Sequence, residues 1–227
     1  MQLFSAPSID KRREADLCLL PYFVTESKIS PGYKKSDLPL SVGRLLEEDF
    51  RAASGELLFS YDQTLEEKRA LFVGLGPKKE CTTTSVAKAY AEAFSLCKKK
   101  KISRVNVIIP ETFSPELSEA VIEAFLQSNY SFDALKRQSL DKHPTFLIEE
   151  ITFVGVDKKF VSMMEQKQLV SLGVNLTRDL VNGNADDVTP SYLSQLAKDL
   201  AKKYGSLQVK VLRQKELEKQ NMNLMLA

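Results

Sequence analysis

Histidine and cysteine are scarce in this chain of 227 residues, with one and three copies. His143 precedes Pro144 and has neither a second histidine nor a cysteine beside it, so a zinc centre or a Ser-His or Cys-His pair has no local signature. Cys18, Cys81 and Cys97 are odd in number, lack Cys-x-x-Cys spacing and lie in apolar or helical surroundings, which reads as reduced core or surface thiols. Long apolar runs are absent too. The longest uncharged stretches, such as 17–24 and 105–110, fall far short of the ~20 residues needed to cross a bilayer. No basic segment followed by an apolar core and a cleavage site opens the chain at Met1, so a cytoplasmic protein is expected. Charge of one sign is also lacking: 32 basic against 30 acidic residues leave a net +2. Only a local patch could therefore hold nucleic acid or an anionic membrane. What remains is ordinary for a folded soluble chain, 43% hydrophobic and 27% charged.

The apolar residues are arranged as alternating strands and helices. Residues 1–4 are strand-like. The runs at 15–24, 55–61 and 70–76 predict strands, the last two continuous enough to be covered on both faces. Residues 25–54, with Pro31-Gly32, Pro39 and many charges, predict an irregular connection with one short helix near Val42, Leu45 and Leu46. A helix is expected over 82–99, a strand over 104–109, a helix from Ser114-Pro115 to Leu126 and an unusually long strand over 145–156. Such alternation predicts an α/β domain over 1–156, with a mainly parallel or mixed sheet and helices on its faces. Leu169, Leu172, Leu176 and Leu180 then fall at helical spacing. They predict one long connector helix over 157–183, started by Asp157 and open to a bend at Gly173. Beyond it, Thr189 is a hydroxyl N-cap and Pro190 suits the first helical position. Leu193, Leu196, Ala197, Leu200 and Tyr204 form one stripe, with Gly205 as a left-handed stop. A strand at 207–212 and a helical start at 214–219 follow. A lone strand cannot satisfy its ladder, and the apolar ending at 224–227 predicts that 184–227 opens a larger domain that continues further.

Several local features invite chemistry. Asp186-Asp187 could bind a hard cation, but one pair is far from six or so oxygens, and a solvated loop that favours the following helix start is the better reading. Glu149-Glu150 would point to opposite faces of a strand. Gly74-x-Gly76 followed by Pro77-Lys78-Lys79 lacks the third glycine of a dinucleotide fingerprint and the Gly-Lys-Ser/Thr of a P-loop, so a tight turn after a buried strand is expected. The basic runs at 98–101 and 11–13 have no interleaved aromatic side chains to stack on bases, and solvated surface is expected.

At Arg178-Asp179-Leu180-Val181-Asn182, Thr189-Pro190 and the helix–strand–helix run with Lys215-Glu216-Leu217-Glu218-Lys219, the chain resembles the leucyl (cytosol) aminopeptidase family. Gly55-Glu56-Leu57-Leu58 and Val73-Gly74-Leu75-Gly76 look like pieces of that family's N-terminal domain. The resemblance implies a macro-domain-like, three-layer α/β domain with a mixed sheet, then the connector helix and an incomplete α/β catalytic domain. It implies a parent enzyme that removes N-terminal residues, leucine above all, from peptides. Two manganese or zinc ions, bridged by carboxylates beside two lysines and an arginine, would activate the attacking water. It also implies a cytoplasmic homohexamer without membrane attachment. The family motif Asn-Thr-Asp-Ala-Glu-Gly-Arg-Leu is absent from these residues, so no metal-binding, cofactor-binding or catalytic role is carried over to any of them, and the segment alone is expected to be inactive. The alternative is a non-catalytic assembly or binding module for DNA or an ADP-ribose-like ligand. The segment 181–185 is superficially similar to the ribose-side loop of macro domains, although it follows a long helix rather than an early strand.

Overall fold

The computed structural model describes residues 1–26, 28–38, 40, 48–136 and 145–226. They divide into two compact units, residues 1–176 and 177–227. The short helix expected near Val42, and His143, lie outside the described residues.

The first unit is built on one seven-stranded sheet. Strands β1 (Gln2–Ala6), β2 (Leu17–Thr25), β5 (Arg69–Pro77), β6 (Arg104–Ile108) and β7 (Glu150–Val154) run parallel in the order β1-β7-β6-β2-β5. Two antiparallel strands make the sheet mixed: β3 (Lys28–Pro31) on β2, and β4 (Leu57–Tyr61) on β5. The continuous apolar runs split between the two faces with period two. Leu17, Leu19 and Phe23 enter one cluster and Cys18, Leu20 and Tyr22 the other.

Helices cover the first face. Helix α1 (Thr83–Lys99) starts at a reciprocal Thr82–Ser85 capping box and α2 (Pro115–Ser128) at Ser114, whose hydroxyl accepts from Leu117 N–H. Their stripes meet in aromatic contacts: the Phe125 ring lies 4.8 Å from Phe94 and 5.9 Å from both Tyr90 and Phe153. Helix α3 (Lys158–Asn182) adds Phe160 and Met164 to this cluster, and its Lys167 pairs with Glu119 and Glu123 of α2. The second face is covered, among the described residues, by irregular chain that contributes Leu38, Phe50, Ala52 and Leu65.

Several expectations are corrected. Residues 28–31 form a strand inside the segment expected to be irregular; four residues carry too little pattern of their own, and the pairing comes from the extended end of β2. Strand β4 is half-buried and pairs with β5 alone, rather than being covered on both faces. Strand β7 is five residues, not twelve. Ahead of it, the Asn129 side chain takes both backbone groups of Ile148, accepting its N–H at 3.0 Å and donating to its carbonyl at 2.9 Å, which replaces a strand partner. Helix α3 begins with the expected Asp157 cap on Phe160 N–H and runs through Gly173 without a break.

Gly74 and Gly76 lie within β5 rather than in a turn after it. Residues 52–56 cross them: Gly55 N–H donates to Gly74 O, Gly74 N–H to Glu56 O, and Gly76 N–H to Ala52 O. A Cβ on Gly74 would stand 2.2 Å from Ala53 O, so the spacing serves backbone approach. Gly74→Ala is expected to cost about 1–3 kcal/mol through the forced backbone shift, read as a lower urea midpoint with an unchanged slope.

In the second unit, α4 (Pro190–Lys203) starts at Thr189, whose hydroxyl accepts from Tyr192 N–H, and α5 (Gln214–Lys219) follows. Gly205 is not the left-handed stop; the helix ends at Tyr204, in an extended conformation, with its N–H on Leu200 O. Residues 207–212 form no strand, since no ladder partner exists for them among the described residues. None of the described residues from 177 onward is buried.

Candidate functional site

Among the described residues, the charged and nucleophilic side chains do not converge on one catalytic cluster. Among the described residues no group of three or more His, Cys, Asp or Glu side chains could hold a metal ion. Asp186 and Asp187 are exposed in the turn before α4, where Asn184 Oδ1 accepts the Asp187 N–H at 2.8 Å. Glu149 precedes β7, while Glu150 begins it and lies 3.8 Å from Arg13, so they are not a facing pair. All three cysteines are free thiols. Burial pushes the Cys18 thiol well above its ordinary pKa and Cys97 up to about 12, and burial with the Glu80 charge raises Cys81, so all three stay protonated at neutral pH.

The basic runs are less solvated than expected. Lys98 Nζ donates to Ser128 O at 2.9 Å, and burial draws its pKa down. Lys100 stands 4.2 Å over the Phe59 ring. In the other run, the Arg12 side chain is 7% exposed and forms a two-point contact with Glu67, whose side chain is 1% exposed, at 2.7 and 3.3 Å. Arg13 stacks on Phe4 at 3.8 Å. These internal roles leave no sign in the letters Lys-Arg-Arg or Lys-Lys-Lys-Lys, because each depends on a partner outside the run, tens of residues away for Arg12, Lys98 and Lys100.

Open α/β sheets commonly take ligands beyond the carboxyl ends of their strands, where the strand order reverses. That place lies between β2 and β6. Gly32 sits there so closely that an added Cβ would be 3.0 Å from Pro110 and 3.1 Å from Pro21 and Phe23. Further along the same edge, past the ends of β6 and β7, a pocket of about 370 Å³ opens between the starts of α2 and α3. Its walls include Ile109, Phe113, Val156, Phe160 and Met163, with Ser118 also lining it and Glu111, Asp157 and Lys159 in its lining. Sequence reasoning missed this pocket. Its walls come from two loops and two helices, and Ser118 is one buried polar residue in an apolar-striped helix.

Comparison with known proteins gives the chain its relatives. Two family models match: the cytosol aminopeptidase family, N-terminal domain, over residues 41–139, and the catalytic domain of the same family over residues 175–227. A probable cytosol aminopeptidase of Protochlamydia amoebophila is 34% identical over 223 residues, covering 96% of this chain and 45% of that protein. One from Chlamydia trachomatis serovar D is 35% identical over 237 residues, covering 99% and 46%. A tomato leucine aminopeptidase mutant has the same fold, with a TM-score of 0.75 at 19% identity, covering 96% of this chain and 46% of that one. The bottromycin maturation enzyme BotP gives a TM-score of 0.68 at 19% identity, covering 91% and 41%. The chain thus spans about half the length of the curated relatives it matches. With both family models matched in order along it, the chain belongs to the cytosol aminopeptidase family.

Proposed function

We propose that these residues are the N-terminal portion of a metal-dependent aminopeptidase that removes N-terminal amino acids, leucine preferentially, from peptides. In this reading residues 1–156 are the N-terminal α/β domain, 157–183 the connector helix and 184–227 the opening of the peptidase domain. The observation that carries it is the match of both family models in one chain, N-terminal domain first and catalytic domain second. Manganese or zinc ions, a homohexamer and a cytoplasmic setting come with the family and belong to the same proposal.

The residues present do not fit the metal pair. Asp186 and Asp187 are exposed and bring no third His, Cys, Asp or Glu side chain with them among the described residues. No catalytic step is assigned to any side chain here, and the reaction belongs to peptidase-domain sequence of the kind the longer relatives carry. The alternative, a module for DNA or an ADP-ribose-like ligand, gains no support from Gly74 and Gly76, which hold the crossing segment 52–56, or from Arg12, Arg13, Lys98 and Lys100, which are engaged within the fold.

Residues 1–227 alone are expected to release no p-nitroaniline from leucyl-p-nitroanilide with added manganese. A longer chain with a complete peptidase domain is expected to do so. Turnover by the 227-residue chain that chelator abolishes would overturn the assignment of chemistry to sequence outside these residues.

A further inference from the structure

The pocket past the ends of β6 and β7 has the chemistry of a ligand site that the aminopeptidase reading leaves unused. At about 370 Å³ it is within the size range of small-molecule pockets. Its body is apolar. Ser118 is 8% exposed and lines it. Its hydroxyl can donate to or accept from a polar atom of a ligand.

The rim selects the charge of the ligand. Lys159 is exposed and in no ion pair among the described residues. Asp157 uses one carboxylate oxygen to cap Phe160 N–H, and Glu111 holds only an exposed pairing with Lys34 at 3.3 Å, which is cheap to exchange. A simple anion would face the two carboxylates, and a simple cation would face Lys159. A ligand carrying both signs close together, with an apolar side chain, meets every group.

We infer that this pocket binds a free apolar amino acid. The α-ammonium faces Asp157 and Glu111, the α-carboxylate faces Lys159, and the side chain lies among Ile109, Phe113, Val156, Phe160 and Met163 with a polar atom of the ligand against Ser118. The ligand belongs to the class of product an aminopeptidase releases, but the inference rests on the pocket alone and survives if the proposed enzyme reading fails.

Amide-resolved NMR of the labelled 227-residue chain titrated with L-leucine tests it without any turnover assay. Saturable shifts are expected at Ser118, Gly155 and Lys159, with a dissociation constant on the order of 1 mM. N-acetyl-leucinamide, which carries neither charge, is expected to leave these amides unmoved. Ser118→Leu fills the floor and should abolish the shifts. If that variant does not fold, Lys159→Gln on the exposed rim decides, with affinity expected to fall about tenfold. The inference is overturned by the absence of saturation, by equal shifts with N-acetyl-leucinamide, by shifts confined to other residues, or by unchanged affinity in Lys159→Gln.

Discussion

Amide hydrogens of α4 and α5 are expected to exchange on the order of a thousand-fold or more faster than those of β2, β5, β6 and α1. The core strands are closed in by two clusters. Leu17, Leu71, Tyr90 and Phe125 belong to one and Leu20, Phe50 and Phe72 to the other, all fully buried. Their amides open only with the whole unit, whose stability on the scale of ~5–15 kcal/mol corresponds to several decades of protection. Nothing comparable holds residues 177–226. Helix α4 is 14 residues long and α5 six, and helices of that length are marginal in water without a packed face. The stripe of α4 is amphipathic, but Leu193 remains 42% exposed and Tyr204 45%. The Thr189 cap and Pro190 fix where this helix starts and add only about 1 kcal/mol. Under the proposed reading, the cover for the stripe is further peptidase-domain sequence of the kind the longer relatives contain. Protection in α4 equal to that in α1 would refute the marginal-helix argument and mean that the stripe is already covered in solution.

Elements that carry their own instructions were legible. Strands β2, β5 and β6 are buried on both faces, so their sequences are nearly unbroken apolar runs and needed no knowledge of a partner. Helices α1, α2 and α4 combine a stripe with a hydroxyl at the start, at Thr82, Ser114 and Thr189. The failures share a cause. The short β3, the trimmed β7 and the missing strand at 207–212 were all decided by whether another segment offered a ladder, and periodicity says nothing about that. In β7 the deciding group is one side chain, Asn129, which satisfies Ile148 in place of a strand. The family was legible only through resemblance, chiefly at residues 178–182, 189–190 and 215–219 and less at 55–58 and 73–76. The pocket was not legible at all, because Ser118 and Lys159 come to line one pocket only once α2 and α3 begin beside each other.

Arg12→Met is expected to destabilise the first unit by about 3–5 kcal/mol, because it leaves the Glu67 carboxylate buried without its cation. The pair is not a surface ornament. Arg12 Nε lies 2.7 Å from Glu67 Oε1, its Nη1 donates to Ile9 O at 2.8 Å, and Asn106 of β6 donates to the same Glu67 oxygen at 2.6 Å and to Arg13 O at 2.8 Å. The network therefore ties the turn after β1 to the centre of the sheet. Two charges at such low exposure gain little net energy over well-packed apolar residues, since desolvation offsets most of their attraction. Removing only one member forfeits the attraction and keeps the desolvation. Combining Arg12→Met with Glu67→Leu should accordingly restore much of the loss, and the coupling between the two sites should exceed about 1 kcal/mol in a double-mutant cycle by urea unfolding. Additive losses would mean that water reaches Glu67 and that the pair behaves as an exposed one. Arg12→Lys separates charge from geometry: it keeps the cation but cannot make the forked contact, so an intermediate loss is expected. The outcome also bears on how the basic run at 11–13 is read. If Arg12 holds the sheet together, its guanidinium is spent on Glu67, and with Arg13 stacked on Phe4 only Lys11 of the run is left to offer a polyanion.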